Sequence, residues 1–191
     1  MTLRKKVLIA IGTTFSGLIL ILYFVSRDIL LETFTHIEEE NISQEVKRTL
    51  DIFSNELANL DATTSDWAGW DDTYEFIVGR NKDYIEANLV DDTFTTLNLN
   101  FIILVNLSGQ IIFSKGFDLH KEEEIPIPES LIKKHLSQNS LLLRHQTTES
   151  SIKGILLLPE DILLIASRPI LTSKDEGPIR GTLIFGRYLD D

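Results

Sequence analysis

The sequence predicts an α+β protein: an N-terminal transmembrane helix continuing into a long amphipathic helix, then a domain with an antiparallel sheet of about five strands and flanking helices. Three observations predict it. Residues 7–25 contain no charge, residues 27–65 contain neither proline nor glycine, and β-rich runs crowd the second half of the chain without strand and helix alternating regularly.

The span comes first. Nineteen helical residues rise roughly 28 Å, close to the roughly 30 Å hydrocarbon core of a bilayer. The hydroxyls of Thr13, Thr14 and Ser16 are tolerable there because each can bond back to a carbonyl one turn earlier. Arg4, Lys5 and Lys6 make residues 1–6 a cytoplasmic tip, which puts the bulk of the chain on the periplasmic or extracellular side of the cytoplasmic membrane. The alternative, a cleaved signal peptide, normally has a shorter apolar region and a small-residue cleavage site, whereas Ser26-Arg27-Asp28 follows this one.

Beyond the span the chain is acidic: 18 Lys plus Arg less the three of the tip leaves 15 against 29 Asp plus Glu, a net of −14. Such a surface repels nucleic acid and anionic headgroups and is compatible with a cationic ligand. With no cysteine, disulfides, thiolate metal sites and cysteine nucleophiles are excluded. No Gly-x-Ser-x-Gly, phosphate-loop or His-Glu-x-x-His pattern occurs, so the expectation is a binding protein with no catalytic residues, no cofactor and no metal site. The histidines, His36, His120, His135 and His145, lack paired spacing and are expected to be mostly solvated.

The stalk is the helix of residues 27–65. Val46, Leu50, Phe53, Leu57, Leu60, Thr64 and Trp67 recur at alternating steps of four and three, a heptad-like stripe that either packs on its own domain or forms a homodimer seam. Leu30, Phe34, Ile37 and Ile42 continue it less regularly, with a stutter near Glu38-Glu39-Glu40-Asn41. Next, residues 74–78 can continue a helix that Gly79 ends in a left-handed conformation, Asn81 caps a helix to Leu89, and Asp91 or Asp92 caps another through Leu97.

The β-rich part follows. Residues 101–105 and 110–114 flank Asn106-Leu107-Ser108-Gly109 and read as a hairpin. Pro128 opens a helix closed by Lys133, Lys134 and His135. Residues 152–158, 162–169 and 181–188 are strands, the first two joined at Pro159-Glu160-Asp161, while 141–143 can add a short strand and 172–178 form a polar loop.

The densest chemistry lies in Asp66-Trp67-Ala68-Gly69-Trp70-Asp71-Asp72-Thr73-Tyr74, where both tryptophans share nine positions with three acids. Three residues apart on a helix, Trp67 and Trp70 would share a face. This is either an aromatic and carboxylate pocket for an amine, or a helix end in which Trp67 closes the stripe and Asp66 or Asp71 caps. Asp61, Asp66, Asp71 and Asp72 match no calcium loop. Arg168 and Arg187, embedded in β-rich runs, need partners, with Asp71 or Asp72 as the expected internal ones and a ligand carboxylate as the alternative for an unpaired guanidinium. The candidate ligand-binding residues are therefore Trp67, Trp70, Asp71, Asp72, Tyr74 and Arg168.

The same run, with Asn81, Tyr84, Asn88-Leu89, Phe94, Gly109, Gly154, Arg168-Pro169-Ile170 and residues 177–189, resembles CHASE domains of the fourth type, extracellular sensory domains of prokaryotic signalling proteins. The resemblance implies that residues 66–191 form a fold similar to PAS and Cache sensors, set between two spans and followed by a histidine kinase, diguanylate cyclase or phosphodiesterase output. It implies no particular ligand. The chain stops at Asp191, before any such output. Two expectations result: a sensory input domain for a small ligand or partner, or a membrane-anchored interaction module with no small-molecule site.

Overall fold

The computed structural model describes the backbone of residues 2–137 and 140–189, and the side chains of these apart from 28–41 and 43. It divides into two compact units, Met1–Ile52 and Phe53–Asp191.

The first unit is helical. Helix α1 has bounds Leu3–Ala68, and its stretch Leu3–Arg27 is long and apolar enough to cross a membrane. Thr13 and Thr14 hydroxyls donate to the carbonyls of Ile9 and Ala10, each at 2.9 Å, so these polar groups are satisfied within the helix. Val46 and Leu50 of the stripe are exposed here. Leu30, Phe34, Ile37 and the expected stutter at residues 38–41 lie outside the described side chains.

In the second unit the end of α1 is followed by three short helices, α2 (Asp71–Gly79), α3 (Lys82–Asn88) and α4 (Asp91–Leu97). Asn81 caps α3 by accepting from the Asp83 amide at 3.0 Å, as its position suggests. Two ends differ from expectation. The left-handed residue closing α2 is Arg80 (φ 54°), one position after Gly79, and the residue before α4 is Val90, which leaves Asp91 and Asp92 in the first turn, where carboxylates favour the helix dipole.

The strands are β1 (Phe101–Asn106), β2 (Ile111–Asp118), β3 (Glu123–Ile125), β4 (Ile152–Leu157), β5 (Ile162–Pro169) and β6 (Gly181–Tyr188), with α5 (Glu129–His135) between β3 and β4. They form one antiparallel sheet in the order β3-β2-β1-β6-β5-β4. The five anticipated strands are present, and β3 is a short addition at one edge. Residues 141–143 form a 3-10 helix rather than a strand. A Leu-rich triplet flanked by polar residues has no alternation to distinguish the two.

Both faces of the central strands are covered, which is why residues 101–105 of β1, 162–166 of β5 and 183–185 of β6 are continuous apolar runs. Ile102, Leu104, Leu164, Ala166, Leu183 and Phe185 pack with Leu60, Ala68, Phe76, Tyr84 and Phe94 of α1–α4. Phe101, Ile103, Val105, Leu163, Ile165 and Ile184 pack with Leu131 of α5 and Leu142. Within this unit the heptad stripe turns inward: Leu57 is half-buried, and Leu60 and Thr64 are buried. Gly181 marks a close approach, since a Cβ there would lie 2.5 Å from the Val105 carbonyl oxygen.

Candidate functional site

The tryptophan motif builds a break between helices. Gly69 donates its amide to the Ser65 carbonyl at 3.0 Å, and Trp70 then leaves the helix with extended backbone (φ −83°, ψ 136°) before α2 begins. The two indoles consequently do not sit on one helical face; they stack across the break, centroids 4.5 Å apart and planes 24° apart. Trp67 also meets Phe185 of the sheet edge-on at 5.9 Å.

The loop between β5 and β6 straps this break. Leu171 donates its amide to the Ala68 carbonyl at 3.0 Å. Asp71 accepts from the Ser173 amide (2.9 Å) and hydroxyl (2.8 Å), and these bonds hold its carboxyl below the usual range. Asp71 thus binds the loop instead of Arg168 or Arg187. Buried Tyr74 donates to the Pro178 carbonyl at 3.2 Å, and the Arg180 guanidinium lies 3.8 Å over its ring. Gly177 adopts φ 97° beside that phenol, where a Cβ would come within 3.1 Å of the tyrosine oxygen.

The partner of Arg168 is Asp61. The guanidinium donates through Nε (2.6 Å) and Nη2 (2.7 Å) to the two carboxylate oxygens, while Lys153 Nζ (2.9 Å) and Ser151 Oγ (2.8 Å) complete the shell. Asp61 is only 4% exposed. Burial alone would raise its pKa, but the hydrogen bonds from Arg168, Lys153 and Ser151, with the Arg168 charge, outweigh that and lower it from 3.8 to about 2. Arg187 pairs with Glu56. Both expected partners of the arginines are thereby replaced by acids of α1.

Beside this hub lies a groove of about 560 Å³ lined by Ala58, Ala62, Ser65 and Gly69 along one side, Trp70 and Arg168, and Ser173 and Asp175 from the loop. Three carboxylates, Asp61, Asp66 and Asp175, outnumber the one guanidinium in its wall. Small side chains of α1 open the space, Trp70 supplies an aromatic surface, and the acids bias it towards cations. Of the six predicted residues, Trp70 and Arg168 line this groove, Trp67 backs Trp70, and Asp71 and Tyr74 hold the loop. Asp72 lies apart, on a second groove of about 340 Å³ between α2 and α3, which has the stacked rings of Phe76 and Tyr84 in its wall.

On the opposite face of the sheet is a residue that no sequence pattern singles out. His145 is half-buried, its Nδ1 3.0 Å from Ser150 Oγ and its Nε2 3.1 Å from Ser167 Oγ. Ser167 donates its hydroxyl proton to the Leu142 carbonyl at 2.6 Å. The Nε2–H tautomer therefore donates to Ser167, and Nδ1 accepts from Ser150. Burial, then the Arg168 charge, lower this imidazole from 6.5 to about 4, so it is neutral at physiological pH.

Lys153, Ser173 and Asp175 were also missed by sequence reading, which weighed Asp61 only as a calcium ligand. Asp61 could have been flagged, because it directly follows Leu60 at the border of the heptad stripe. Among the described residues every fully buried side-chain nitrogen or oxygen has a hydrogen-bond partner, and no three acidic or histidine side chains converge as metal ligands do.

A family model described as the CHASE4 domain matches residues 52–191. A relative, the methanogenesis regulatory histidine kinase FilI of Methanothrix harundinacea (strain 6Ac), is 35% identical over 194 aligned residues that include all of this chain. The chain spans 21% of that relative's length. Two solved structures share the fold, each with a TM-score of 0.53. One is a domain of a sensory box/GGDEF family protein from Vibrio parahaemolyticus, 15% identical, with 78% of this chain and 61% of that one aligned. The other is the extracellular domain of a histidine kinase, vpHK1S-Z8, 13% identical, with 79% and 58% aligned.

Proposed function

This chain belongs to the CHASE4 domain family, and we propose that it is the extracytoplasmic input part of a membrane-bound signalling protein, taking a small cationic ligand in the groove between α1 and the β5–β6 loop. The observation behind this reading is the groove itself. It gathers an indole, a guanidinium and an excess of carboxylates at the point where α1 ends, so an occupant would touch both the helix and the loop that straps it.

In this reading Trp70 contacts the ligand and Arg168, committed to Asp61, shapes the groove wall, while Trp67, Asp71 and Tyr74 position the groove. Asp72 acts separately at the α2–α3 surface. A ligand shifts a conformational equilibrium only by its differential affinity for the two states, and the α1 end is the element whose packing can differ. Similarity to a histidine kinase supports a kinase as output of a longer protein, and the exposed Val46 and Leu50 suit a homodimer seam along α1.

Thermal shift of the full chain in detergent against amines, amino acids, organic acids and metals tests the proposal. Stabilisation by an amine, lost in Trp70→Ala with the fold retained, supports it. Uniform silence favours an anchored interaction module instead. Placement outside the cytoplasm is tested by single-cysteine labelling at Lys174 in intact cells, the natural chain having no cysteine to interfere.

A further inference from the structure

The β1–β2 hairpin holds a feature that ligand sensing does not use. Its turn is Asn106-Leu107-Ser108, an Asn-x-Ser tripeptide without proline, the acceptor pattern for asparagine-linked glycans. Leu107 is 71% exposed and Ser108 is exposed, so the turn projects into solvent. Asn106 pairs with Gly181 at the last register position of β1, at the opposite end of that strand from Phe101 and its partner Gly186. Turns of this kind are where a bulky addition is tolerated.

The local geometry suits the chemistry. Asn106 Oδ1 accepts from the Ser108 amide (3.1 Å), the Ser108 hydroxyl (2.7 Å) and the Gln110 amide (2.9 Å). All three bonds fall on the amide oxygen. Hydrogen bonds to that oxygen make the Nδ2 protons more acidic, which eases the loss of the proton that the reaction removes, and the hydroxyl needed at the third position already touches it. The nitrogen, by contrast, has only a 3.5 Å contact to Gln110 Oε1. Substitution on Nδ2 keeps every strong bond of the turn, whereas substitution on the oxygen would unmake it.

We propose that Asn106 is a glycosylation site of this protein. A lipid phosphate-linked sugar donates the glycan: a bond forms between Nδ2 and the anomeric carbon, the bond from that carbon to the phosphate oxygen breaks, the lipid phosphate departs with the electron pair, and Nδ2 loses one proton. The proposal requires that the domain face away from the cytoplasm, and the cysteine labelling above measures that independently. The chain offers an internal comparison in Asn41-Ile42-Ser43, which has the same pattern but falls within the bounds of helix α1.

The test is peptide mass spectrometry of the full chain isolated from its native membranes, read on the tryptic fragment of residues 83–115. A glycan mass on Asn106, abolished in Ser108→Ala and restored in Ser108→Thr, is expected. Asn88, Asn98 and Asn100 in the same fragment lack the pattern and stay unmodified. The mass readout does not depend on how well a variant folds. An unmodified Asn106, whatever the state of Asn41, with the labelling showing an outward domain, overturns the proposal and leaves the sensory reading standing.

Discussion

Ser167 and Arg168 are consecutive on β5, yet they enter opposite faces of the sheet and two different electrostatic regimes. Arg168 faces α1 and joins a charged network in which two cations and a serine hold Asp61 ionised. Ser167 faces the 3-10 helix and joins a network of neutral groups in which His145 is held uncharged. The difference is one of compensation. A buried carboxylate is tolerated where guanidinium and ammonium donors surround it, while an imidazole given only hydroxyl partners is most stable without its proton.

The largest effect should come from breaking the charged side. Asp61→Ala strands the Arg168 guanidinium, whose side chain is 19% exposed, while the exposed Lys153 can turn to solvent, and urea melts should show a loss of about 3 kcal/mol. If the double variant Asp61→Leu, Arg168→Met recovers most of that loss, the cost lies in the orphaned charge. A double variant as unstable as the single one would locate it in packing.

Acid separates the two faces. His145 has a folded pKa of about 4 against 6.5 when free, so its contribution is complete above pH 6.5 and is lost progressively as pH falls towards 4, where the unfolded chain alone takes up the proton. The loss amounts to at most about 3 kcal/mol, reduced by solvent screening of the half-buried ring. Asp61, depressed to about 2 from 3.8, keeps its contribution down to pH 3.8 and loses about 2 kcal/mol as pH falls to 2. Stability measured against pH should therefore decline first between 6.5 and 4, and His145→Asn should flatten that limb while leaving the lower one. A first limb unchanged by the substitution would show that the imidazole is not the group responsible.

The smaller effects compare partly exposed ties with these cores. Tyr74→Phe removes the bond to the Pro178 carbonyl from a buried ring and should cost about 1 kcal/mol in thermal or urea melts. It should also loosen the strap enough for proteolysis between Thr172 and Arg180 to quicken. Glu56→Gln at the other arginine pair should cost under about 1 kcal/mol, since the Glu56 side chain is 42% exposed. An effect as large as that of Asp61→Ala would mean that the two pairs are equivalent, contrary to their burial.

Legibility in the sequence varied with the range of the interaction. The Asn81 cap, the Pro128-initiated helix and the hairpin at Gly109 depend on neighbours within a few residues, and each was readable. The tryptophan motif was recognisable too, but its use was not. Nothing local says that Asp71 waits for Ser173, or that Tyr74 supports a glycine loop a hundred positions away. His145 looked like a solvated residue because burial of a lone histidine leaves no periodic trace. Asp61 was hidden among solvating acids, although its position directly after Leu60, at the border of the apolar stripe, was the available clue.

What the amino-acid order determined alone was the alphabet of elements: an uncharged stretch long enough for a bilayer, a helix without breakers, β-rich runs bounded by turn residues, and the family motif. These follow from periodicity and transfer energy, which act residue by residue. Tertiary structure decided which carboxylate meets which guanidinium, which indole lines a groove and which imidazole stays neutral. Those outcomes depend on the separation and dielectric between side chains far apart in the chain, quantities that exist only once the sheet has brought β5 against α1 and the β5–β6 loop against the helix break.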